Sequence, residues 1–295
     1  MSEQRGREVY RALQALARTD YGGNTGALLV VYAVEGFLRR LAASPYAANM
    51  TLKGGMLMAA SSARRMTKDA DLATVGVANE EAAIASVVSE IIAVALDDEL
   101  AFDETTIRTE LMREDADYHG VRVKLEALLS TARITTTLDF SFGDPHRSVV
   151  IELPELLGTG SIRLASYPPE LTLAEKIATM MSRRELNTRD RDFADVWVMS
   201  RSLNISALSL RAAAIDDVAA HRYHDVVPLA EALANMPDRQ VPYSAMLRRL
   251  AYQRLPPRSW AELLADVREF VDTLLADVGG ELTTWDVHAT RWRSD

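Results

Sequence analysis

The most informative absence in this 295-residue chain is that of cysteine. Without cysteine the chain can form neither a disulfide nor a thiolate metal site, which favours an intracellular protein over a secreted one. Long hydrophobic runs are also missing, because the most apolar run, residues 27–34, is far too short to span a bilayer. The N-terminus is polar and charged and does not resemble a signal peptide. We therefore expect a cytoplasmic protein without membrane contact.

Several catalytic signatures are absent as well. The sequence has no G-x-x-x-x-G-K-[ST] phosphate-binding loop and no G-x-S-x-G nucleophile turn. Its five histidines are scattered, which argues against a histidine metal site. The net charge of −9 argues against nucleic-acid binding by the whole surface. It leaves room for local basic patches at Arg64, Arg65 and Lys68 and at Arg183, Arg184, Arg189 and Arg191.

The stretch from Thr51 to Leu72 contains the most specific chemistry. A short apolar strand leads into Lys53-Gly54-Gly55, a compact helical segment follows, and a second strand contains Asp69 and Asp71. Alternation along a strand places both carboxylates on one face, where they repel each other unless a cation lies between them. Mg²⁺ prefers such oxygen ligands, and a Gly-Gly turn lets backbone N–H groups approach a phosphate. These parts together predict a site for a nucleoside triphosphate.

The order Gly-Gly, short helix and Asp-x-Asp resembles the nucleotidyltransferase superfamily related to DNA polymerase β. The fuller pattern, KGG followed by TKDADL, resembles the AbiEii/AbiGii toxins of type IV toxin–antitoxin and phage-defence systems. The resemblance covers about residues 25–200. It implies a nucleotidyltransferase that uses Mg²⁺ or Mn²⁺ to transfer a nucleotide from an NTP to an RNA acceptor, the 3′ end of tRNA. It also implies a cognate antitoxin as a partner.

Asp139 lies in a strand-like segment, residues 133–142, between Leu138 and Phe140. A lone carboxylate among apolar neighbours needs a partner. The superfamily takes a third metal-binding carboxylate from a neighbouring strand, so the resemblance groups Asp139 with Asp69 and Asp71. The alternative is an edge-strand or turn-forming aspartate without a catalytic role.

Lys176 lies in the middle of a helical segment, residues 171–183, among apolar neighbours. In the AbiEii family a Leu-x-x-Lys helix follows the sheet, and Leu173 and Lys176 match that pattern. The resemblance implies that Lys176 contributes to the nucleotide site, whereas the alternative is a lysine that extends to the surface. The following Arg189-Asp190-Arg191-Asp192-Phe193-Ala194-Asp195-Val196 resembles a further family motif.

Asp192 and Asp195 are three residues apart, so on a helix they share a face. They could hold Lys176 or Arg189 in place, or contact the nucleotide sugar. The alternative is that these acids complement the helix dipole, which is the better interpretation for Asp190.

The predicted site consists of catalytic residues, some of which also bind the metal, and of nucleotide-binding residues. The catalytic residues are Asp69, Asp71, Asp139 and Lys176, of which the three aspartates bind the metal. The nucleotide-binding residues are Lys53, Gly54, Gly55, Thr67, Lys68, Arg189, Asp192 and Asp195. In this scheme the lysines neutralise the triphosphate, the glycine backbone approaches the phosphates, and Thr67 donates its hydroxyl at the mouth of the site.

We predict an α+β fold with a polymerase-β-like mixed sheet flanked by helices and a helical C-terminal region. Residues 1–166 form the nucleotidyltransferase lobe, and residues 167–295 form a helical lobe, with the boundary at Tyr167-Pro168-Pro169. Short gaps between the strand-like segments 105–112, 121–128, 133–142 and 148–153 suggest antiparallel hairpins. Beyond Ser202 we expect helices to the end of the chain. Two other functions fit the same fold: nucleotidyl transfer to a protein or small molecule, and binding without catalysis.

Overall fold

The computed structural model describes residues 3–61, 65–114, 118–143, 148–158, 160–211, 215–221, 224–250 and 254–294. The described residues divide into two compact units. One contains residues 3–60 and 65–167, and the other contains residue 61 and the described residues from Pro168 onward. None of the described helices combines the length and the hydrophobicity that a bilayer span requires.

Within the described residues, the first unit is built on a seven-stranded mixed sheet with the order β3-β4-β5-β2-β1-β7-β6. The pairs β2–β5 and β1–β7 are parallel, and the other neighbours are antiparallel. The predicted mixed sheet is therefore confirmed. The strands are β1 (Met50–Lys53), β2 (Asp69–Thr74), β3 (Leu100–Glu114), β4 (Tyr118–Leu129), β5 (Ala132–Phe142), β6 (Val149–Pro154) and β7 (Ser161–Ser166).

Three helices of this unit accompany the sheet: α1 (Glu3–Asp20), α2 (Thr25–Ala43) and α3 (Glu81–Ile92). The Asn24 side chain caps α2 by accepting a hydrogen bond from the Ala27 N–H at 3.1 Å. Most of α2 is buried, and it packs against β5. A 3₁₀ helix, Gly54–Ser61, follows β1 and matches the compact helical segment that the sequence predicts.

Alternation along β5 separates the core from the polar face of the sheet. Ile134, Leu138 and Phe140 are buried, whereas Asp139 is partly exposed on the opposite face. The hydrophobic positions of β5 therefore decide which way Asp139 points.

One expected hairpin is wrong. The strands β3, β4 and β5 form antiparallel neighbours as predicted, but β6 does not pair with β5. Instead β6 lies at the opposite edge of the sheet, separated from β5 by β2, β1 and β7. The strand β7 pairs with both β6 and β1 and was not predicted, although buried Ile162 and Leu164 alternate with exposed Ser161 and Arg163 as in a half-buried strand.

The second unit contains helices and, among its described residues, a three-stranded sheet with the order β10-β9-β8. The helices are α4 (Pro169–Arg183), α5 (Asp190–Ser200), α6 (Ala207–Leu210), α7 (Asp216–His221), α8 (Leu229–Ala232), α9 (Gln240–Leu250) and α10 (Trp260–Ala276), with a 3₁₀ helix at Arg184–Leu186. The strands are β8 (Ile205–Ser206), β9 (Leu282–Asp286) and β10 (Arg291–Ser294).

The expectation of helices to the end of the chain is therefore wrong in the last segment. In register on β9 and β10, Trp285 and Trp292 pack against each other and against Phe270 of α10, with ring centroids 4.7–5.3 Å apart. Burial of these aromatic rings favours an antiparallel pair over a helix. The helix α8 is also short, because Pro228 stops it from extending further toward the N-terminus.

The aromatic cluster of Phe270, Trp285 and Trp292 yields a stability prediction. Trp292 stacks on Phe270, and its indole N–H donates to the Phe270 carbonyl at 2.8 Å. We expect Trp292→Ala to lower the free energy of unfolding by about 3–5 kcal/mol, since it removes a large buried ring. Trp292→Phe keeps an aromatic ring but loses the hydrogen bond, so it should cost only about 1–2 kcal/mol. Urea unfolding measures both, and an equal cost for the two variants would contradict the packing argument.

Candidate active site

Charged side chains lie in one row across four neighbouring strands of the first unit. Lys53 on β1 pairs with Asp71 on β2, Asp71 pairs with Asp139 on β5, and Asp139 pairs with Arg122 on β4. Residues in register on neighbouring strands project from the same face of a sheet, and neighbouring strands are about 4.8 Å apart. Asp69 lies two residues before Asp71, so it shares that face. The structure thus brings the three predicted metal-binding aspartates together on one face.

Arg122 is the partner of Asp139. Its Nε donates to Asp139 Oδ1 at 2.8 Å and its Nη2 donates to Asp139 Oδ2 at 2.7 Å. These hydrogen bonds to Asp139 raise the pKa of Arg122, although partial burial opposes that shift. The Asp139 side chain is 12% exposed and that of Arg122 is 37% exposed, so the pair lies at the surface of the site.

Arg122 was not among the predicted site residues. Its neighbours Val121 and Val123 are buried, and this alternation alone would place Arg122 on the polar face of β4. What the sequence could not supply is the β4–β5 register, which sets Arg122 directly opposite Asp139.

Gly54 and Gly55 have specific structural neighbours. Gly54 has a φ of +73°, and a Cβ atom there would lie 2.0 Å from Asp71 Oδ2. A Cβ atom at Gly55 would lie 2.2 Å from Arg65 Nη2. The two glycines therefore let the backbone pass close to Asp71 and Arg65. Their predicted approach to phosphates stays a prediction.

Thr67 lies deeper than expected. It is 2% exposed, and its hydroxyl oxygen accepts a hydrogen bond from Arg65 Nη1 at 2.9 Å. Lys68 next to it is exposed, whereas Arg64 of the predicted basic patch lies outside the described residues. Lys53 Nζ lies 5.9 Å from the centroid of the Tyr167 ring, within range of a cation–π contact.

In the second unit, Lys176 is buried among acids. Its Nζ donates to Asp192 Oδ1 at 3.0 Å and to Asp195 Oδ2 at 2.9 Å, and Asp192 Oδ2 also forms an ion pair with Arg189 Nε at 2.7 Å. Lys176 is 8% exposed, so it does not extend to the surface. Of the predicted roles for Asp192 and Asp195, the structure shows the contact with Lys176.

The charges in this buried cluster stabilise one another. Burial by itself would raise the pKa of Asp192, but the charges of Lys176 and Arg189 hold that pKa below its usual range. Asp190 lies in the first turn of α5, as the helix-dipole interpretation expects, and it also accepts hydrogen bonds from Arg239. Each acid at the start of α5 therefore has a cationic partner. Sequence spacing did not predict the contact between Arg239 and Asp190.

The donor set of Asp69, Asp71 and Asp139 fits a hard divalent cation, because it consists of carboxylate oxygens on one face. Across the part of the chain that the structure describes, no three histidine or acidic side chains already converge as a metal cluster. Both oxygens of Asp139 contact Arg122 instead. The aspartates thus have the right chemistry for a metal and lie on one face of the sheet, but Asp139 is turned toward Arg122.

The fold is similar to that of JHP933 from Helicobacter pylori, whose crystal structure aligns with a TM-score of 0.52 at 15% sequence identity over 84% of this chain and 93% of that chain. A second crystal structure, of a "putative nucleotidyltransferase from H. pylori", covers 84% of this chain and 97% of that chain at 12% identity, but its TM-score of 0.35 is too low to support an argument. No curated protein matches the sequence significantly.

The class and the family follow from a family model. The model of the nucleotidyl transferase AbiEii toxin, type IV TA system, matches residues 36–274, which include the row of charged residues and the Lys176 cluster. The protein is a nucleotidyltransferase. It belongs to the AbiEii toxin family, which confirms the resemblance and extends it beyond the 25–200 range into the C-terminal third.

The contact between Gly54 and Asp71 can be tested with a matched glycine. Gly54 and Gly23 both have positive φ, +73° and +81°, but a Cβ atom at Gly23 would meet nothing within 4 Å. We expect Gly23→Ala to lower the free energy of unfolding by about 1 kcal/mol, from backbone strain alone. Gly54→Ala should cost at least about 1–2 kcal/mol more, because Asp71 must move. If urea unfolding showed the same loss of stability for both variants, Gly54 would not be needed to make room for the Asp71 side chain.

The Lys176 cluster predicts a pH dependence. Lys176→Met leaves two buried carboxylates without their cation, so we expect a loss of about 3–5 kcal/mol at neutral pH. In the wild type the folded pKa of Asp192 lies below the unfolded value of about 3.9, so its stabilisation is present above that value and is lost as the pH falls through the folded pKa. In the variant the two carboxylates bind protons more readily in the folded state than in the unfolded state. The difference in the free energy of unfolding between the variant and the wild type should therefore become smaller as the pH falls from about 7 to about 4.

Urea unfolding across this pH range checks the prediction. Lys124→Met is the control, because Lys124 is exposed and forms a loose surface pair with Glu110 at 3.8 Å. Its loss should stay below about 1 kcal/mol. A difference in the free energy of unfolding between Lys176→Met and the wild type that does not change with pH would contradict the charges assigned to the cluster.

Proposed function

We propose that this nucleotidyltransferase transfers a nucleoside monophosphate from an NTP to an RNA acceptor, the 3′ end of tRNA. Blocking that end prevents aminoacylation and so stops translation. As a member of a type IV toxin family, the enzyme would be neutralised by a cognate antitoxin. The observation that carries the proposal is the register that sets Asp71 beside Asp139 on the face that also holds Asp69.

In this proposal Asp69, Asp71 and Asp139 would hold Mg²⁺ or Mn²⁺. When bound, such a cation neutralises triphosphate charge and lowers the pKa of an attacking hydroxyl. The acceptor hydroxyl forms a bond to the α-phosphorus, the bond from that phosphorus to the bridging oxygen breaks, and pyrophosphate leaves. No covalent enzyme intermediate is required, which suits a chain without cysteine.

The fixed cations of the chain would bind the triphosphate. Lys53 lies directly opposite Asp71, at the start of the charged row. Lys176 is held by Asp192 and Asp195, and this fixed position is what electrostatic stabilisation of a transferring phosphoryl group requires. The assignments of Thr67, Lys68 and Arg189 to the nucleotide remain predictions.

The choice of RNA as acceptor is supported by exposed basic residues in the second unit. Arg183, Arg184 and Arg189 are exposed around the end of α4 and the start of α5, in a protein whose net charge is −9. A local basic segment can neutralise backbone phosphates even when the whole surface is acidic.

A transfer assay tests the proposal. Purified protein, Mg²⁺, each α-labelled NTP and deacylated tRNA are incubated, and the RNA is resolved on a gel. We expect label at the tRNA 3′ end, with Asp71→Asn and Asp139→Asn each lowering the rate by at least about 100-fold, since each removes a charged metal ligand. Asp97→Asn is the matched control, because Asp97 forms only an exposed pair with Arg5, and it should keep the wild-type rate.

Three outcomes would count against the proposal. Label on protein in a whole lysate, with none on tRNA, would indicate a protein acceptor. Label on neither would contradict transfer to RNA. Full activity in Asp71→Asn would remove the aspartate row from the mechanism.

A further inference from the structure

Arg122 lies between two carboxylates on neighbouring strands. On one side it is in register with Asp139 of β5, and on the other side it is in register with Glu110 of β3. All three residues project from the same face of the sheet. Arg122 contacts Asp139 through two hydrogen bonds, whereas the Glu110 side chain is 67% exposed and lies 3.8 Å from Lys124 Nζ.

The Arg122–Asp139 pair engages both oxygens of the carboxylate. The planar guanidinium forms two parallel hydrogen bonds, at 2.8 and 2.7 Å, which use both oxygens of the carboxylate. A metal ligand must direct at least one oxygen at the ion. A guanidinium and a divalent cation also repel each other at close range. Arg122 and a metal therefore make competing demands on Asp139.

We propose that Arg122 is a positioning residue that holds Asp139 and must release it before Asp139 can bind the metal. This inference rests on the proposed role of Asp69, Asp71 and Asp139 as metal ligands. Arg122 acts as a latch: its guanidinium neutralises Asp139, which lies in register with Asp71 in the row of acids.

Glu110 gives the latch a second position. It lies opposite Arg122 on the far side from Asp139, and its negative charge also helps to raise the pKa of Arg122. A change of rotamer at Arg122 would therefore exchange one carboxylate partner for another on the same face, without leaving the arginine unpaired. The distance between neighbouring strands, about 4.8 Å, is well within the reach of an arginine side chain.

The proposal predicts that loss of Arg122 tightens metal binding. Mn²⁺ is titrated into the full-length protein by isothermal calorimetry, without nucleotide or RNA. We expect Arg122→Met and Arg122→Gln to lower the Kd for Mn²⁺ by about tenfold, which corresponds to removal of one charge-assisted pair at a partly exposed site. The two variants differ in polarity, so a folding defect in one, seen by circular dichroism, leaves the other as the test.

Two controls separate the latch from a general charge effect. Arg108→Met removes one positive charge from the same face of the neighbouring strand β3, where Arg108 donates to the backbone carbonyls of Thr105 and Ile107, and it should change the Kd by less than about threefold because of screening. In an Asp139→Asn background the gain from Arg122→Met should disappear, since the contested carboxylate is gone.

The outcomes distinguish this inference from the proposed function. Unchanged or weaker Mn²⁺ binding in both Arg122 variants, or equal tightening in Arg108→Met, would overturn the latch. If Asp71→Asn binds Mn²⁺ as well as the wild type, the aspartates are not the metal site, and the proposed function fails together with the latch. Loss of binding in Asp71→Asn without tightening in the Arg122 variants overturns the latch alone.

Discussion

The parallel register between β2 and β5 is the constraint on which the candidate site depends. Ala70 and Leu72 are paired with Leu138 and Phe140, and all four are fully buried. A shift by one residue would move these side chains out of the core, at a large loss of apolar burial. The aspartates alternate with these residues, so the same register sets Asp71 beside Asp139. The hydrophobic face of the sheet thus determines the geometry of its polar face.

The two charge clusters of the protein differ in how they are balanced. The Lys176 cluster is buried and nearly self-neutral, with two aspartates, one lysine and one arginine in contact. Such a cluster keeps its side chains in fixed positions. The row on the sheet has three aspartates on a partly exposed face, with Lys53 at one end and Arg122 at the other. An acidic face of this kind favours an additional cation, which is the property that a nucleotidyltransferase of this family needs.

Much of the first unit was predictable because the signals are local. The strand-like segment 133–142 corresponds to β5, and the compact helical segment after β1 corresponds to the 3₁₀ helix Gly54–Ser61. The errors concern long-range pairing. The strand β6 pairs with β7 and not with β5. The C-terminal strands form because Trp285 and Trp292 pack against Phe270 of the preceding helix α10. Local periodicity carries no information about such partners.

The sequence alone determined the chemistry available to this protein: paired carboxylates after a Gly-Gly turn, a third aspartate in an apolar strand, and a helix with a central lysine. Those features depend on residue types and short spacings, which a chain displays before it folds. Only the tertiary structure decided that Arg122 donates hydrogen bonds to Asp139 and that Asp71 lies against Gly54. It also decided that Lys176 contacts Asp192 and Asp195. The residues in each of these contacts are 16 or more positions apart in the chain. The contact between Arg122 and Asp139 also depends on a strand register that the buried core selects.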